Sequence, residues 1–294
     1  MSFLRKFFAS KQQPAEAKTS HSRQNHADDK PVSSRALQLA SEIERIAPDQ
    51  AEQLLAFLHR IVADPLNENL RFQTAEALAA AVYPKYKFSE YGRLFLEDKE
   101  FLTYYMRFMD VGNWHSLDRK YTLDQLLKQS LHLNGDIAEC GVWKGASAYL
   151  MCQTHRDSKR VIHLFDSFEG LSAPDSRDGN YWVAGALCSP EEVLRDTLSE
   201  FNNYRTYKGW IPERFGEVAD RKFSFLHVDV DLYQPTFQTL SFFYERIEPE
   251  GVILMDDYGF NSCPGAKLAA DEFFSGKPEQ IMMLSTGQAF VLKR

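Results

Sequence analysis

The sequence predicts an α/β protein: a mostly parallel sheet with helices on both faces, a helical region ahead of it and an antiparallel hairpin at its C-terminal end. Three observations carry this. Residues 35 to about 130 place apolar side chains three and four apart, the spacing of amphipathic helices. After "LNGD" at 133–136 the pattern changes to short apolar runs bounded by Gly, Asp or Pro, with helical windows between them. Strands that alternate with helices form a parallel sheet covered on both faces. The final "QIMMLSTGQAFVLKR" is two strand-like runs around a Gly-containing turn, which reads as an antiparallel hairpin at the sheet edge.

Taken in order, residues 1–34 have few large apolar side chains between about 9 and 34 and cannot offset the entropy of ordering, so a flexible tail is expected. Its "LRKFF" is too short for a secretory segment and too weak for a stable membrane anchor. Residues 35–130 form a helical cap region through "ALQLASEIERIA", "DQAEQLLAFLHRIV", "NLRFQTAEALAAAV" and "YTLDQLLKQSLHL". Residues 131–294 supply the strands "IAECG", "RVIHLFD", "YRTYKG", "FSFLHVD" and "GVILMDD", with helices over "SAYLMCQTHR" and "TFQTLSFFYERI". "SPEEVLRDTLSEF" predicts a further helix, with Ser189 as N-cap, Pro190 at the first position and Glu192 completing a capping box.

A chain of 294 residues with 44% hydrophobic and 26% charged residues can bury a full core, and a net charge of −7 argues against nucleic acid as a partner. A small molecule is the better expectation. Cys140, Cys152, Cys188 and Cys263 are scattered without metal-ligand spacing, as reduced thiols of a cytoplasmic protein would be.

A parallel sheet closed by an antiparallel hairpin resembles the class I methyltransferase (Rossmann-like) fold more than a dinucleotide-binding sheet. Ligands of such sheets sit outside the carboxyl ends of the strands, where the strand order reverses. The first strand ends in "IAECGVWKGAS": Glu139 at the tip, Gly141 and Gly145 in the turn. This lacks the third glycine of a pyrophosphate binder but suits S-adenosylmethionine, which carries an ammonium for Glu139 and needs close backbone approach at the glycines; a plain tight turn is the alternative. Asp166 ends the second strand, where an acid can accept from both ribose hydroxyls or merely cap its own turn.

Asp229 and the pair Asp256 and Asp257 end two apolar strands on the same sheet edge. Carboxylates about 4 Å apart repel by about 4 kcal/mol per pair at an effective dielectric near 20. Either some are protonated or a cation sits among them, Mg²⁺ first, with Ca²⁺ or Mn²⁺ as alternatives; capping of turns is the bland reading. Asp231 is read as a helix cap more readily than as a ligand, and His227 as a buried histidine that can orient a carboxylate. Trp143 and Trp210 read as packing or as flanks of the cofactor, "SRDGNYW" at 176–182 as a loop over the acceptor, and "HSLDRKYTL" at 115–123 as a lid.

"GDIAECGVWKGAS", "LFDSFEGL", "KGWIPE", "VDVDLYQPT" and "VILMDDYG" followed by "PGAKLAADEF" together resemble the macrocin O-methyltransferase (TylF-like) family over roughly residues 115–294. The resemblance implies S-adenosylmethionine as donor, Mg²⁺ dependence and methylation of a hydroxyl, typically of a sugar. It also implies that Asp229, Asp256 and Asp257 are the metal ligands, with Asp229 doubling as catalytic base. Val230 stands where the family usually has Gly. Two other readings compete: a non-catalytic cofactor-binding regulator or scaffold, which intact acids at all five positions disfavour, and an NAD-dependent oxidoreductase, which the missing glycine and the closing hairpin disfavour. A homo-oligomer is compatible with all three.

Overall fold

The computed structural model describes residues 41–42, 44–45, 51–82, 94–109 and 116–294. The tail expected over 1–34, "LRKFF" within it and most of "ALQLASEIERIA" lie outside these residues. The chain divides into two compact units, residues 1–92 and 93–294. In the first, α1 (Ala51–Ala63) packs on α2 (Glu68–Val82). Asn67 ends the short connection and caps α2, its side chain accepting from the Leu70 N–H at 3.0 Å. Among the described residues no helix is long and apolar enough to cross a membrane.

The second unit carries the sheet. Helices α3 (Lys99–Phe108) and α4 (Leu117–Gln129) precede β1 (Asp136–Cys140), so two helices that the sequence pattern grouped with the cap belong to the sheet unit. Then follow α5 (Ala146–Thr154), β2 (Ile162–Asp166), α6 (Glu191–Thr197), β3 (Tyr204–Lys208), β4 (Phe223–Val228), α7 (Tyr233–Phe243), β5 (Ile247–Met255), α8 (Pro264–Phe274), β6 (Met282–Met283) and β7 (Ala289–Leu292). The strand order is β3-β2-β1-β4-β5-β7-β6. The first five strands pair in parallel, and β7 returns antiparallel beside β5 with β6 outside it, the closing hairpin expected from the sequence.

Alternation along each strand divides the core in two. Ile137, Leu164, Phe225 and Leu254 face a layer built on α3, α4 and α5, with Phe101, Leu123, Leu127 and Met151. Their neighbours Ala138, Phe165, Leu226 and Met255 face the opposite layer, with Leu240, Phe243, Ala270 and Phe274 of α7 and α8. Apolar runs without polar alternation are what burial on both faces requires. The start of α6 differs from expectation: Pro190 is extended (ψ 146°), the helix begins at Glu191, and the buried Ser189 hydroxyl caps nothing.

One buried group just past α5 sets an acid sensitivity. Burial, reinforced by the nearby Arg160 charge, pushes His155 down to about 4. The unfolded chain therefore binds the extra proton between about pH 6.5 and 4, and stability falls as pH drops through that window. Replacing His155 by Leu should flatten this acid limb, read as thermal midpoint against pH; an unchanged limb would place the sensitivity elsewhere.

Candidate active site

The reversal of strand order falls between β1 and β4. Register sets Cys140 of β1 level with Val228 of β4, and Val228 level with Met255 of β5, so the residues that follow emerge side by side at one edge. A cavity of about 480 Å³ opens there. One part of its wall includes Gly141, Val142, Trp143, Asp166 and Trp210; another consists of Asp229, Asp231, Asp257, Phe260 and Cys263, with Tyr181 and Trp182 of the 176–182 loop.

Both turn glycines are required by the fold itself. A Cβ on Gly141 (φ +84°) would lie 1.7 Å from the Asp229 carbonyl oxygen, and one on Gly145 (φ +88°) 2.5 Å from Leu194. Asp166 organises the same turn: its Oδ2 accepts the N–H groups of Val142 (2.7 Å) and Trp143 (2.9 Å), and its Oδ1 that of Phe168 (2.7 Å). A carboxylate oxygen has two acceptor sites, so Oδ1 keeps capacity toward the cavity.

Glu139 lies beneath the wall, 1% exposed, and is not among the cavity-lining residues. Its Oε1 meets His227 Nδ1 at 2.9 Å, and its buried Oε2 has no hydrogen-bond partner among the described residues. Burial raises its pKa while His227 opposes the rise. His227 continues the chain to Asp256 Oδ1 at 3.4 Å, which also accepts from Gln288 Nε2 at 2.6 Å. Asp256 is fully buried, ion-pairs with Arg119 and does not line the cavity. The Arg119 guanidinium in turn lies over the Phe260 ring, 4.8 Å from its centroid.

The three acids expected to converge are thus distributed over two groups, in each of which the donor atoms lie within 4.8 Å of one another: His227, Asp229 and Asp256, and Asp231, Asp257 and Cys263. Side-chain alternation accounts for the split, since Asp256 continues the face of Leu254 and Asp257 that of Met255. Asp229 is half-buried and faces the cavity. Burial, then the charges of Asp231 and Asp229, hold the Asp257 carboxyl well above its ordinary range; burial and Asp229 push Asp231 up to about 7.

Asp231 does not cap α7. It sits at φ +59°, where its carboxylate accepts from Cys263 Sγ (3.4 Å) and its N–H donates to Asp257 Oδ2 (2.9 Å). The α7 N-terminus is satisfied from elsewhere: Tyr233 N–H donates to Asp178 Oδ1 at 2.6 Å, which ties the 176–182 loop to the helix. Sequence reasoning missed Asp178, Arg119, Lys120 and Gln288. For Lys120 a signal existed: α4 buries Lys120, Leu123, Asp124 and Leu127, so a lysine occupies the apolar stripe. Asp178 and Gln288 reach their partners from 55 and 32 residues away and leave no such mark.

This strand order, the antiparallel hairpin and an acid-lined cavity at the point of reversal define a class I methyltransferase fold. Residues 59–278 match macrocin O-methyltransferase (TylF), and the chain belongs to that family. It is 31% identical over 159 residues (47% of this chain, 58% of the relative) to a demethyldecarbamoylnovobiocin O-methyltransferase of Streptomyces niveus. It is 28% identical over 146 residues (45% and 56%) to an 8-demethyl-8-(2,3-dimethoxy-alpha-L-rhamnosyl)-tetracenomycin-C 4'-O-methyltransferase of Streptomyces olivaceus. The chain spans about half the length of these curated relatives. Among solved structures, the O-methyltransferase NovP is similar with a TM-score of 0.53 at 22% identity, over 62% of this chain and 83% of that one. The calicheamicin methyltransferase CalS11 has a TM-score of 0.53 at 17% identity, over 94% and 99%. At these identities the likeness is one of fold.

Proposed function

We propose that the chain is an S-adenosylmethionine-dependent O-methyltransferase that methylates a hydroxyl of a sugar or glycosylated small molecule with the help of Mg²⁺. The observation that carries this is one cavity lined both by a glycine turn pinned by Asp166 and by the carboxylates of Asp229, Asp231 and Asp257. Family membership supports the reaction, and the acceptors in the names of its relatives, a rhamnosyl-bearing tetracenomycin C, demethyldecarbamoylnovobiocin and mycinamicin III, support the acceptor class.

The donor fits the glycine turn. Asp166 Oδ1 keeps acceptor capacity for ribose hydroxyls, and Glu139, whose Oε2 has no hydrogen-bond partner among the described residues, would complement the ammonium from beneath the cavity wall. Gly141 and Gly145 keep the backbone close. A hard divalent ion fits the acidic part of the lining, because crowded carboxylates raised by burial and mutual repulsion are stabilised by a cation. Asp229 and Asp257 would hold it together with Asp256 or Asp231; when bound, it would lower the pKa of the acceptor hydroxyl. Methyl transfer is an in-line displacement, so the residues' task is alignment and removal of one proton. Asp229, half-buried and facing the cavity, would accept that proton. Tyr181 and Trp182 would cover the acceptor and exclude water.

The test is calorimetric titration with S-adenosylhomocysteine and with NAD, followed by methyl transfer to a panel of sugar hydroxyls with and without Mg²⁺. S-adenosylhomocysteine should bind and NAD should not. Binding of NAD alone would overturn the reading.

A further inference from the structure

Residues 175–181 form an exposed loop with one exception: Asp178 is 3% exposed, while every other residue of the stretch is exposed. A carboxylate buried within a surface loop is costly unless it is partnered. Its Oδ1 accepts the Tyr233 N–H at 2.6 Å and its Oδ2 the Asp175 N–H at 2.8 Å, so one oxygen holds the first residue of α7 and the other closes the loop on itself. Gly265, in the first turn of α8, leaves the space for it, since a Cβ there would overlap Asp178 Oδ1. Neither α7 nor α8 is capped by the side chain that precedes it, so this one carboxylate complements the positive ends of two helices.

Residues on either side of Asp178 add to the contact. The Arg177 guanidinium lies over the Tyr233 ring at 3.5 Å, Gly179 lies against Pro264, and Trp182 Nε1 donates to Cys263 Sγ at 3.3 Å. Between these anchor points Tyr181 is left 56% exposed, lines the cavity and meets Trp182 edge-on with ring centroids 4.9 Å apart. An exposed ring braced by a second ring, in the cavity that holds Asp229, offers a surface to the apolar C–H face of a sugar. Asp178 itself does not line the cavity. We infer that Asp178 is a positioning residue for the acceptor: by bonding the start of α7 and filling the space over Gly265 it presets the loop that presents Tyr181 and Trp182. Tyr233 follows Asp229 and Asp231 closely in the chain, so the bond also fixes the loop relative to those acids. This rests on the acceptor reading above and names the residue that sets its geometry. A preset loop spares the acceptor the cost of ordering it on binding.

The test attacks the contact from both sides, with Asp178→Ala in the loop and Gly265→Ala, which leaves the loop sequence intact and covers the case in which Asp178→Ala does not fold. Both should raise the KM of methyl α-L-rhamnopyranoside about tenfold to thirtyfold, change kcat about threefold at most, and leave calorimetric S-adenosylhomocysteine affinity within about twofold of wild type. Asp178→Asn, whose carboxamide oxygen still accepts the Tyr233 N–H, should recover much of the loss. Gly265→Ala added to Asp178→Ala should raise KM little further, because the contact is already gone. Chymotryptic cleavage after Tyr181, which needs no acceptor, should be about tenfold faster in both single variants than in wild type. A lower thermal midpoint with unchanged KM and unchanged cleavage would make Asp178 a structural residue only and overturns the inference, as does a loss of donor affinity equal to the loss for the acceptor. No turnover of the rhamnoside by wild type counts against the acceptor class instead, and unchanged cleavage in both variants then still overturns the role of Asp178.

Discussion

Replacing Asp229 by Asn should lower methyl transfer about 10²- to 10⁴-fold, the usual contribution of a positioned general base. Asp229 faces the cavity with its carboxylate half-buried, and its N–H is fixed to the Cys140 carbonyl at 2.9 Å, which ties the end of β4 to the end of β1. Asn keeps shape and that backbone bond but cannot take a proton from the acceptor. Affinity for S-adenosylhomocysteine should change little, because Asp166 and the glycine turn are untouched. Raising the Mg²⁺ concentration should not restore the rate. Rate against Mg²⁺ concentration, with donor affinity measured beside it, checks both points. Full recovery by metal would make Asp229 a ligand only and move the base to another group; Asp231 lines the same cavity, whereas His227 is fully buried between Glu139 and Asp256.

What could be read from the sequence was what local pattern encodes. The five parallel strands are continuous apolar runs because both faces are covered, and the closing "MMLSTGQAFVL" carries its own turn, so β6 and β7 were legible. Strand tips were legible too, because Asp166 and Asp229 follow runs whose apolar character stops abruptly. The structure adds what depends on partners far away in the chain. Adjacent Asp256 and Asp257 look equivalent in "LMDDY", yet alternation turns one toward Arg119, His227 and Gln288 and the other toward Asp231 and Cys263. The capping of α7 by Asp178 instead of Asp231 is of the same kind, since a donor at the start of a helix can be satisfied by any carboxylate that a loop delivers.

That difference between adjacent acids should appear as opposite effects on stability. In chelator-treated protein, Asp256→Asn should cost about 3–5 kcal/mol, because it removes the negative partner of a buried ion pair whose side chains are 13% (Arg119) and 1% (Asp256) exposed. Asp257→Asn should be neutral or stabilising at pH 8. Its carboxyl is raised by burial and by Asp231 and Asp229, so the native state binds the proton more tightly than the unfolded chain does, and ionised Asp257 costs stability above its ordinary range. The Asn oxygen still accepts the Asp231 N–H that Asp257 Oδ2 accepts at 2.9 Å. The gain should shrink as pH falls toward the ordinary carboxylate value near 4, below which the carboxyl is protonated in both states. Urea denaturation at pH 8 and pH 5 measures both variants. Mg²⁺ adds a third reading: any stabilisation it gives wild type should be lost in Asp257→Asn, since an ion that binds only the native state raises stability through its affinity. Equal losses in the two variants would mean that Asp257 is paired in the folded protein as Asp256 is, and that the separation of the two acids into different environments is incorrect.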